Sequence, residues 1–369
     1  MLVGPGTSYQ QPAIVVRSIL NQYMSQRICT EWNSQTSHAF TATNGTRQGA
    51  VASPILFCIY LDILLHRLKD NGVGCHKGHK YAASFAYADD IILLSPTLAG
   101  LQQMLKTCEE YGDEYKLSFN EKKTVCIRFS KKKNPDYSTD VIKLRNKLLK
   151  WMSKVTHLGN ILTYDLKDDN DIKVKKGAFH GHVNKLLVQF PDVSLDTKRR
   201  LFKSYCTSYY GNQTWDMSNK QIQSIATAWN IGVRRLLRLP YTTHRAFLPD
   251  VIKCDSFMCI LYKRIAKFIY NGLTNRNGLV TYLFNSACLE RSGTIGRNFN
   301  VLNSVLHVSI YDFTTSPFRA LINRIGDFFK VPDHNQAFIS LINELIDGDF
   351  YIDGFEEERN ELIDLVCTI

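Results

Sequence analysis

The first 70 residues alternate between amphipathic, polar and strongly apolar stretches. Apolar residues at helical spacing predict a helix over residues 13–24, and residues 28–43 predict a short hairpin that carries Trp32 and Phe40 on its strands. Ser53 followed by Pro54 is typical of a helix start, with Ser53 as the capping hydroxyl. The run from Ile55 to Leu68 is apolar on most faces and predicts a buried helix that ends at Asn71-Gly72.

Two short strand patterns come next, over residues 81–87 and 91–94. Ala88, Asp89 and Asp90 separate them, so we expect a β-turn with both carboxylates at its tip. Ser95-Pro96 then predicts the start of another helix. Its apolar residues fall on one stripe at three-, four- and seven-residue spacing (Leu98, Leu101, Leu105, Cys108 and Tyr115).

The remaining pattern predicts a mixed chain that becomes helical. Residues 125–129 predict a strand, residues 130–140 an exposed basic loop, and residues 155–162 a short strand pair around Gly159. Beyond about residue 170 the spacing is helical. Early hairpins and buried helices followed by a helical region predict an α+β fold.

Charge is distributed unevenly along the 369 residues. The chain has 45 Lys and Arg against 34 Asp and Glu, a net charge of +11, yet residues 344–369 alone carry −8. Residues 1–343 therefore carry +19. Such a basic body fits a polyanionic partner or merely a solvated basic surface, and charge alone does not decide between them.

Basic groups alternate with aromatic residues after residue 170. This pattern suits a groove that follows a nucleic-acid backbone, and amphipathic packing helices produce it equally well. The basic residues are Lys173, Lys175, Lys176, Lys198, Arg199, Arg200, Arg234, Arg235, Arg238, Lys263, Arg264 and Lys267, and the aromatic residues are Phe202, Tyr205, Tyr209, Tyr210, Trp215 and Trp229.

Several classes of protein are excluded. No apolar run reaches the ~18 residues that a membrane span requires, and the opening residues do not form a secretory signal. Ten cysteines without a Cys-x-x-Cys pair predict reduced thiols in an intracellular compartment. The sequence does not distinguish nucleus from cytoplasm.

Asp89 and Asp90 are the candidate chemical centre. Two carboxylates at a strand turn offer the oxygen ligands that hard divalent cations prefer, and two such cations can stabilise phosphoryl transfer. An Asp-Asp pair alone is more often a solvated turn, so its interpretation depends on the neighbouring motifs.

Those motifs occur in a fixed order. They are Arg47-Gln48-Gly49, Ser53-Pro54-Ile55-Leu56-Phe57, Tyr60-Leu61-Asp62, Tyr87-Ala88-Asp89-Asp90, Leu117 to Thr124, His157-Leu158-Gly159, Tyr210-Gly211 with Trp215, and Ala228 to Pro240. In this order and at this spacing, the chain resembles the reverse transcriptases of non-long-terminal-repeat (LINE-type) retrotransposons over roughly residues 14–310.

The resemblance implies a fold and an activity. The fold is a partial polymerase palm (residues 1–165, an antiparallel sheet with helices), a basic helical thumb (166–270) and a C-terminal helical region with an acidic tail (271–369), with the fingers missing. The activity is RNA-directed DNA polymerisation, which uses an RNA template, a DNA primer, deoxynucleotides and Mg²⁺ or Mn²⁺.

Site residues follow from the resemblance motif by motif. Asp89 corresponds to the metal ligand, Asp90 to its acidic partner, and Lys123 to the lysine that protonates the leaving pyrophosphate. Leu158 and Gly159 correspond to the primer grip. The nucleotide- and template-binding residues are Arg47, Gln48, Gly49, Ser53, Pro54 and Tyr87.

One departure from the family pattern concerns a further metal-binding aspartate. Residues 1–50 contain no Asp, and Glu31 is their only acid. The family places this aspartate on a strand that would precede Met1, so we expect an N-terminally truncated domain without substantial polymerase activity of its own. Two alternatives are a remnant that binds nucleic acid without chemistry and a fragment that does not fold alone.

Overall fold

A computed structural model describes residues 13–24, 26–41, 49–130 and 140–330, except the side chains of Val15 and Met24. The described chain is an α+β protein in which short two-stranded sheets precede a helical region. It divides into two compact units. The first comprises Met1–Cys126, Asp136–Lys150 and Asn277–Leu279, and the second comprises Ile127–Pro135, Trp151–Arg276 and Val280–Ile369.

Helices and short strands alternate in the described part of the first unit. The elements up to residue 148 are α1 Ala13–Met24, β1 Arg27–Ile28, β2 Glu31–Trp32, β3 Gln35–Thr36, β4 Phe40–Thr41, α2 Ser53–Asp70, β5 His76–Lys77, β6 Lys80–Tyr81, β7 Ser84–Tyr87, β8 Asp90–Leu93, α3 Leu98–Glu114, β9 Val125–Cys126, β10 Lys143–Leu144 and β11 Lys147–Leu148. Antiparallel pairs join β1 with β4, β2 with β3, β5 with β6, β7 with β8, and β10 with β11.

The later elements are mostly helical. They are β12 Lys150–Trp151, β13 Lys154–His157, β14 Asn160–Thr163, α4 Asp169–Gln189, α5 Leu195–Tyr205, a 3₁₀ turn Asn212–Thr214, α6 Ile222–Leu236, α7 Leu248–Ile252, α8 Phe257–Leu273, α9 Gly278–Glu290, α10 Gly293–Leu306, α11 Ile310–Thr315 and α12 Phe318–Phe328. Strands β13 and β14 form an antiparallel hairpin.

Helix α2 is buried on one face, so the prediction of a buried helix holds for that face only. Leu61, Leu64 and Leu68 pack with residues of α3 and with Ala83, just before β7, whereas Ile59 remains 48% exposed. Both neighbours contact the same side of α2, so the opposite side, which also carries Ile55 and Ile63, is uncovered by the described residues.

Both predicted capping sites differ from the structure. Ser53 is the first residue of α2, after Ala52, and its side chain does not cap the helix; its Oγ lies 3.4 Å from the Tyr23 hydroxyl. Helix α3 begins at Leu98 instead of Ser95-Pro96, because the Thr97 hydroxyl accepts a hydrogen bond from the Gly100 amide at 3.1 Å.

The hairpins are shorter than the sequence pattern indicates. The hairpin over residues 27–41 carries Trp32 and Phe40 on strands, as predicted. The expected strand 81–87 is interrupted, since β6 ends at Tyr81 and β7 begins at Ser84. Of the expected strand 125–129, only Val125–Cys126 is a strand, and most of the predicted basic loop (residues 131–139) lies outside the described residues.

The core of the second unit is aromatic. Phe202, Tyr209, Trp215 and Trp229 are at most 5% exposed and pack among the helices. For these four residues the packing interpretation holds, and the expectation that they line a nucleic-acid groove is wrong. Tyr205 and Tyr210 are the exposed members of the predicted set. None of the described helices combines the length and hydropathy that a bilayer span requires.

Candidate functional site

The β7–β8 hairpin exposes Asp89 and Asp90 at its end. Tyr87 pairs with Asp90, so the turn contains only Ala88 and Asp89. Asp90 is therefore the first residue of β8. The prediction that Asp90 lies in the turn together with Asp89 is wrong. Tyr87, Asp89 and Asp90 are all exposed. The hairpin thus presents two carboxylates and an aromatic ring to solvent.

Strand alternation fixes the direction of Asp90. Ile91 and Leu93 pack against the core formed by α2 and α3. Because successive side chains of a strand point to opposite faces, Asp90 lies on the outer face, which it shares with Ile92. Tyr87 is paired with Asp90 and occupies that same face.

The two carboxylates fit the oxygen preference of Mg²⁺ or Mn²⁺ only in part. Among the described residues, no group of three or more His, Cys, Asp or Glu side chains could hold a metal ion. Mg²⁺ usually combines one or two carboxylates with water and substrate phosphate oxygens. The pair therefore suits an ion that arrives with a nucleotide better than a resident ion held by protein ligands alone.

Asn120 sets the position of Lys123. The Asn120 carboxamide oxygen accepts hydrogen bonds from the amides of Lys122 and Lys123, at 3.0 and 3.1 Å. Its carbonyl oxygen accepts from the Thr124 amide and hydroxyl. This side-chain-supported turn leaves Lys123 exposed. It gives a physical reason for the spacing Asn120-x-x-Lys123-Thr124.

The segment predicted to contact nucleotide and template is described only in part. Arg47 and Gln48 lie outside the described residues. Gly49 is exposed with φ +82°, a left-handed conformation that favours glycine. Ser53 is buried, and Pro54 is exposed in the first turn of α2.

Leu158 and Gly159 form the two-residue turn of the β13–β14 hairpin. His157 pairs with Asn160, and both turn residues have positive φ, +47° and +74°. This combination defines a type I′ turn, for which Asn-Gly is the common sequence. A leucine in the left-handed region is strained, which makes the turn a candidate for function.

A buried carboxylate that the sequence reasoning missed holds this turn in place. Asp171 of α4 is 4% exposed and accepts hydrogen bonds from the Ile161 amide at 3.1 Å and from the Trp215 indole at 2.7 Å. Lys175, one helical turn later, forms an ion pair with Asp171 at 2.9 Å and donates to the Gly159 carbonyl at 3.3 Å. The i,i+4 spacing of Asp171 and Lys175 was the sequence signal that could have identified this ion pair.

The Tyr210-Gly211 loop packs directly on the same turn. A methyl group added at Gly211, where φ is +83°, would lie 1.8 Å from Oδ1 of Asn160. A methyl group added at Gly159 would lie 3.2 Å from Cε1 of Tyr210. Both glycines therefore permit a close approach between the loop and the hairpin.

Several of the predicted basic residues have structural roles. Arg199 donates to the Val251 carbonyl at 2.8 Å, and Arg234 donates twice to the Thr243 carbonyl. Arg264 donates to the carbonyls of residues 207–209. These guanidinium groups fasten loops to helices. Other members of the set are exposed: Lys173, Arg200, Arg235, Arg238 and Lys267.

The sequence also matches a known family. Residues 6–162 match the family model of the reverse transcriptase, an RNA-dependent DNA polymerase. This part of the chain is a reverse transcriptase domain. All the predicted site residues, from Arg47 to Gly159, fall within the matched range.

Two relatives with similar stretches of sequence are Pol polyproteins of retrotransposable elements. A stretch of 139 residues is 27% identical to the Retrovirus-related Pol polyprotein from type-2 retrotransposable element R2DM of Drosophila melanogaster and covers 38% of this chain and 13% of that protein. A stretch of 65 residues is 40% identical to the Retrovirus-related Pol polyprotein from type-1 retrotransposable element R2 of Nasonia vitripennis and covers 18% and 6% of the two chains.

These matches confirm the predicted resemblance to LINE-type reverse transcriptases. Residues 6–162 match the reverse transcriptase model, and parts of the chain are similar to Pol polyproteins of retrotransposable elements. The matched stretches span only a small fraction of each relative.

Proposed function

We propose that this chain supplies the palm and thumb of an RNA-directed DNA polymerase and binds an RNA template, a DNA primer and a deoxynucleotide. The observation that carries the proposal is the exposed Asp89-Asp90 pair at the end of a hairpin, within a reverse transcriptase domain. We assign the palm to residues 1–165, the thumb to 166–270, and the acidic C-terminal region to 271–369.

The proposed reaction joins a primer 3′-hydroxyl to the α-phosphate of the nucleotide and releases pyrophosphate. When bound, Mg²⁺ or Mn²⁺ supplies electrostatic stabilisation of the developing charge. Asp89 and Asp90 would hold the ion through their exposed carboxylates. Lys123, held by the Asn120 turn, gives a proton to the leaving pyrophosphate.

The remaining site residues position the substrates. Gly49 lets the backbone approach the nucleotide, because it has no side chain and an added methyl group would meet open space. Arg47 pairs with phosphate, and Gln48, Ser53, Pro54 and Tyr87 complete the nucleotide and template contacts. Leu158 and Gly159 grip the primer. Correct orientation supplies a large share of the rate enhancement in such transfers.

We further propose that the chain alone is catalytically incomplete. The mutual repulsion of two divalent ions calls for more anionic ligands than a single carboxylate pair provides. We therefore expect template–primer binding with little extension.

Primer extension tests both parts of the proposal. The purified chain is given an RNA template, a labelled DNA primer, deoxynucleotides and either Mg²⁺ or Mn²⁺. We expect weak extension at most, and any extension should vanish in Asp89→Asn, with Asp70→Asn as a matched control at an exposed acid of the same unit. Primer extension comparable to that of a full-length enzyme would contradict the proposal that the chain alone is catalytically incomplete.

A nucleic-acid-binding remnant is the second candidate function. It is favoured by the exposed basic residues Lys173, Arg200, Arg235 and Lys267 of the second unit. Binding should weaken steeply as salt rises, because cations released from the nucleic acid drive association. Absence of binding to RNA, DNA and their hybrid at low salt would overturn both candidates.

A further inference from the structure

Tyr210 is an exposed aromatic residue on the proposed primer-grip turn. Its side chain is 62% exposed although Cδ1 and Cε1 lie against Gly159. The neighbouring Tyr209 is 5% exposed, stacks on Phe179 and belongs to the core. Tyr209 therefore packs in the core at this loop, whereas the Tyr210 ring is exposed and can contact a ligand.

The surface around Tyr210 is firmly built. Gly211 fits closely against Asn160, the residue that follows the turn. Asp171 is bonded to the hairpin and to Trp215, four residues beyond Gly211, and Lys175 is bonded to the turn itself. The hairpin tip and the Tyr210 loop are thus fixed to the same buried carboxylate, which lowers the entropy cost of binding a ligand across both.

Charge identifies the kind of partner. Residues 151–276 contain 20 Lys and Arg, nine Asp and no Glu, a formal net charge of +11. An exposed aromatic ring in a basic unit suits a single strand of nucleic acid, because bases stack on the ring while cations attract the backbone.

We propose that Tyr210 and the Leu158-Gly159 turn form one contact surface on which a nucleotide of a bound strand stacks. This inference rests on the proposed function, because it extends the primer grip from the hairpin to the loop after α5. Tyr210 provides the stacking face, and Asp171 positions the turn beside it.

Equilibrium binding of a fluorescein-labelled 20-nucleotide single-stranded DNA tests the surface. We expect Tyr210→Ala to weaken binding about five- to 100-fold, as is typical for loss of one base–aromatic stack. Tyr210→Phe should bind within about twofold of wild type, because stacking requires the ring and not the hydroxyl. Tyr210→Leu retains apolar volume against Gly159 and should resemble the alanine variant.

Tyr311→Ala is the matched control. Tyr311 is 74% exposed on α11 of the same unit and is not among the aromatic residues of the predicted groove, so its loss should leave affinity unchanged. Thermal melting verifies that each variant folds. Equal affinity of wild type and Tyr210→Ala, or equal weakening by Tyr311→Ala, would refute the surface while leaving the proposed function intact. A wild-type chain that does not bind the strand would instead refute both.

Discussion

Ala88 carries backbone strain at the hairpin that exposes the two aspartates. Its φ is +50°, in the left-handed region that costs an ordinary residue roughly 1–2 kcal/mol. It immediately precedes Asp89 in a two-residue turn, so its conformation determines how the carboxylate leaves the strand. Strained backbone conformations cluster at functional sites, so the strain at Ala88 is consistent with a functional role for the neighbouring Asp89.

Ala88→Gly should therefore stabilise the fold. Glycine adopts positive φ without the Cβ penalty, and the gain exceeds the added entropy of the unfolded chain, so we expect the free energy of unfolding to rise by about 0.5–1 kcal/mol. Urea denaturation measures the change. The same substitution at Ala99, inside α3, should have the opposite sign, since glycine weakens helices. Destabilisation by Ala88→Gly would contradict the left-handed assignment.

Asp168 should make stability depend on pH. Burial raises the pKa of its carboxyl to about 6, and nearby Asp216, Asp171 and Asp169 add to the effect, although the Asp216 amide donates to Oδ2 at 2.7 Å. The folded state thus binds the proton more tightly than the unfolded state, whose pKa is about 4. This carboxyl therefore lowers the free energy of unfolding as pH rises through the range from about 4 to 6.

Asp168→Asn removes that titration and retains an oxygen to accept the Asp216 amide. We expect its melting temperature to exceed that of wild type by more at pH 7.5 than at pH 4.5.

Asp165 is an opposite case: hydrogen bonds from Thr163 and Lys167 outweigh burial and lower the pKa of its carboxyl. Asp165→Asn should lower the melting temperature more at neutral than at acid pH. If neither variant differed from wild type in a pH-dependent way, the pKa shifts assigned to Asp168 and Asp165 would be wrong.

Helix α2 shows how one element can serve the core with only part of its surface. Leu64 is fully buried, whereas Ile59, on the opposite face, is 48% exposed. The helix has more apolar residues than one contact face needs, and this apolar run is why the sequence predicted a buried helix.

Alanine substitution on the two faces should separate them. Leu64→Ala leaves a cavity among α2, α3 and Ala83 and should lower the free energy of unfolding by about 2–5 kcal/mol. Ile59→Ala removes a side chain with little packing and should change it by about 0.5 kcal/mol or less. Urea denaturation of the first unit's fluorescence or circular dichroism signal measures both. Similar costs would mean that both faces of α2 are covered.

The sequence predicted the positions of helices and strands that have strong local signals. It did not predict the contacts that those elements make. Helix α1, the two aspartates between paired strands, and the strand pair around Gly159 follow from periodicity and turn residues. The start of α3 was misplaced because two hydroxyls compete for the cap, and only geometry shows that Thr97 reaches the Gly100 amide.

The candidate site was predictable in its motifs but not in its support. Asp89 came from its place at a predicted strand turn, whereas the roles of Lys123 and Gly159 came from the resemblance. The roles of all three residues remain predictions. The hydrogen bonds of Asp171 to the Ile161 amide and the Trp215 indole join residues up to 44 positions apart. Such contacts depend on tertiary packing, which hydrophobic spacing does not encode.

At the scale of the whole molecule, charge is segregated along the chain. Residues 1–343 carry +19, and residues 344–369 carry −8. The negative charge of residues 344–369 therefore lowers the positive potential that a nucleic acid meets when it approaches the basic residues. The effect is electrostatic, so it should weaken when salt screens the charges beyond about 8 Å.

Deletion of residues 344–369 should strengthen binding of single-stranded DNA. We expect about a two- to tenfold gain in affinity at 50 mM salt and a difference close to none at 0.5 M, because screening removes the contribution of the segment. Fluorescence anisotropy across a salt series measures both values. A full-length variant with the nine acids of the segment replaced by Asn and Gln separates charge from length, and it should bind as the deletion does. If that variant retained wild-type affinity while the deletion gained, the segment would act by occupying space near the binding surface, and the electrostatic explanation would be wrong.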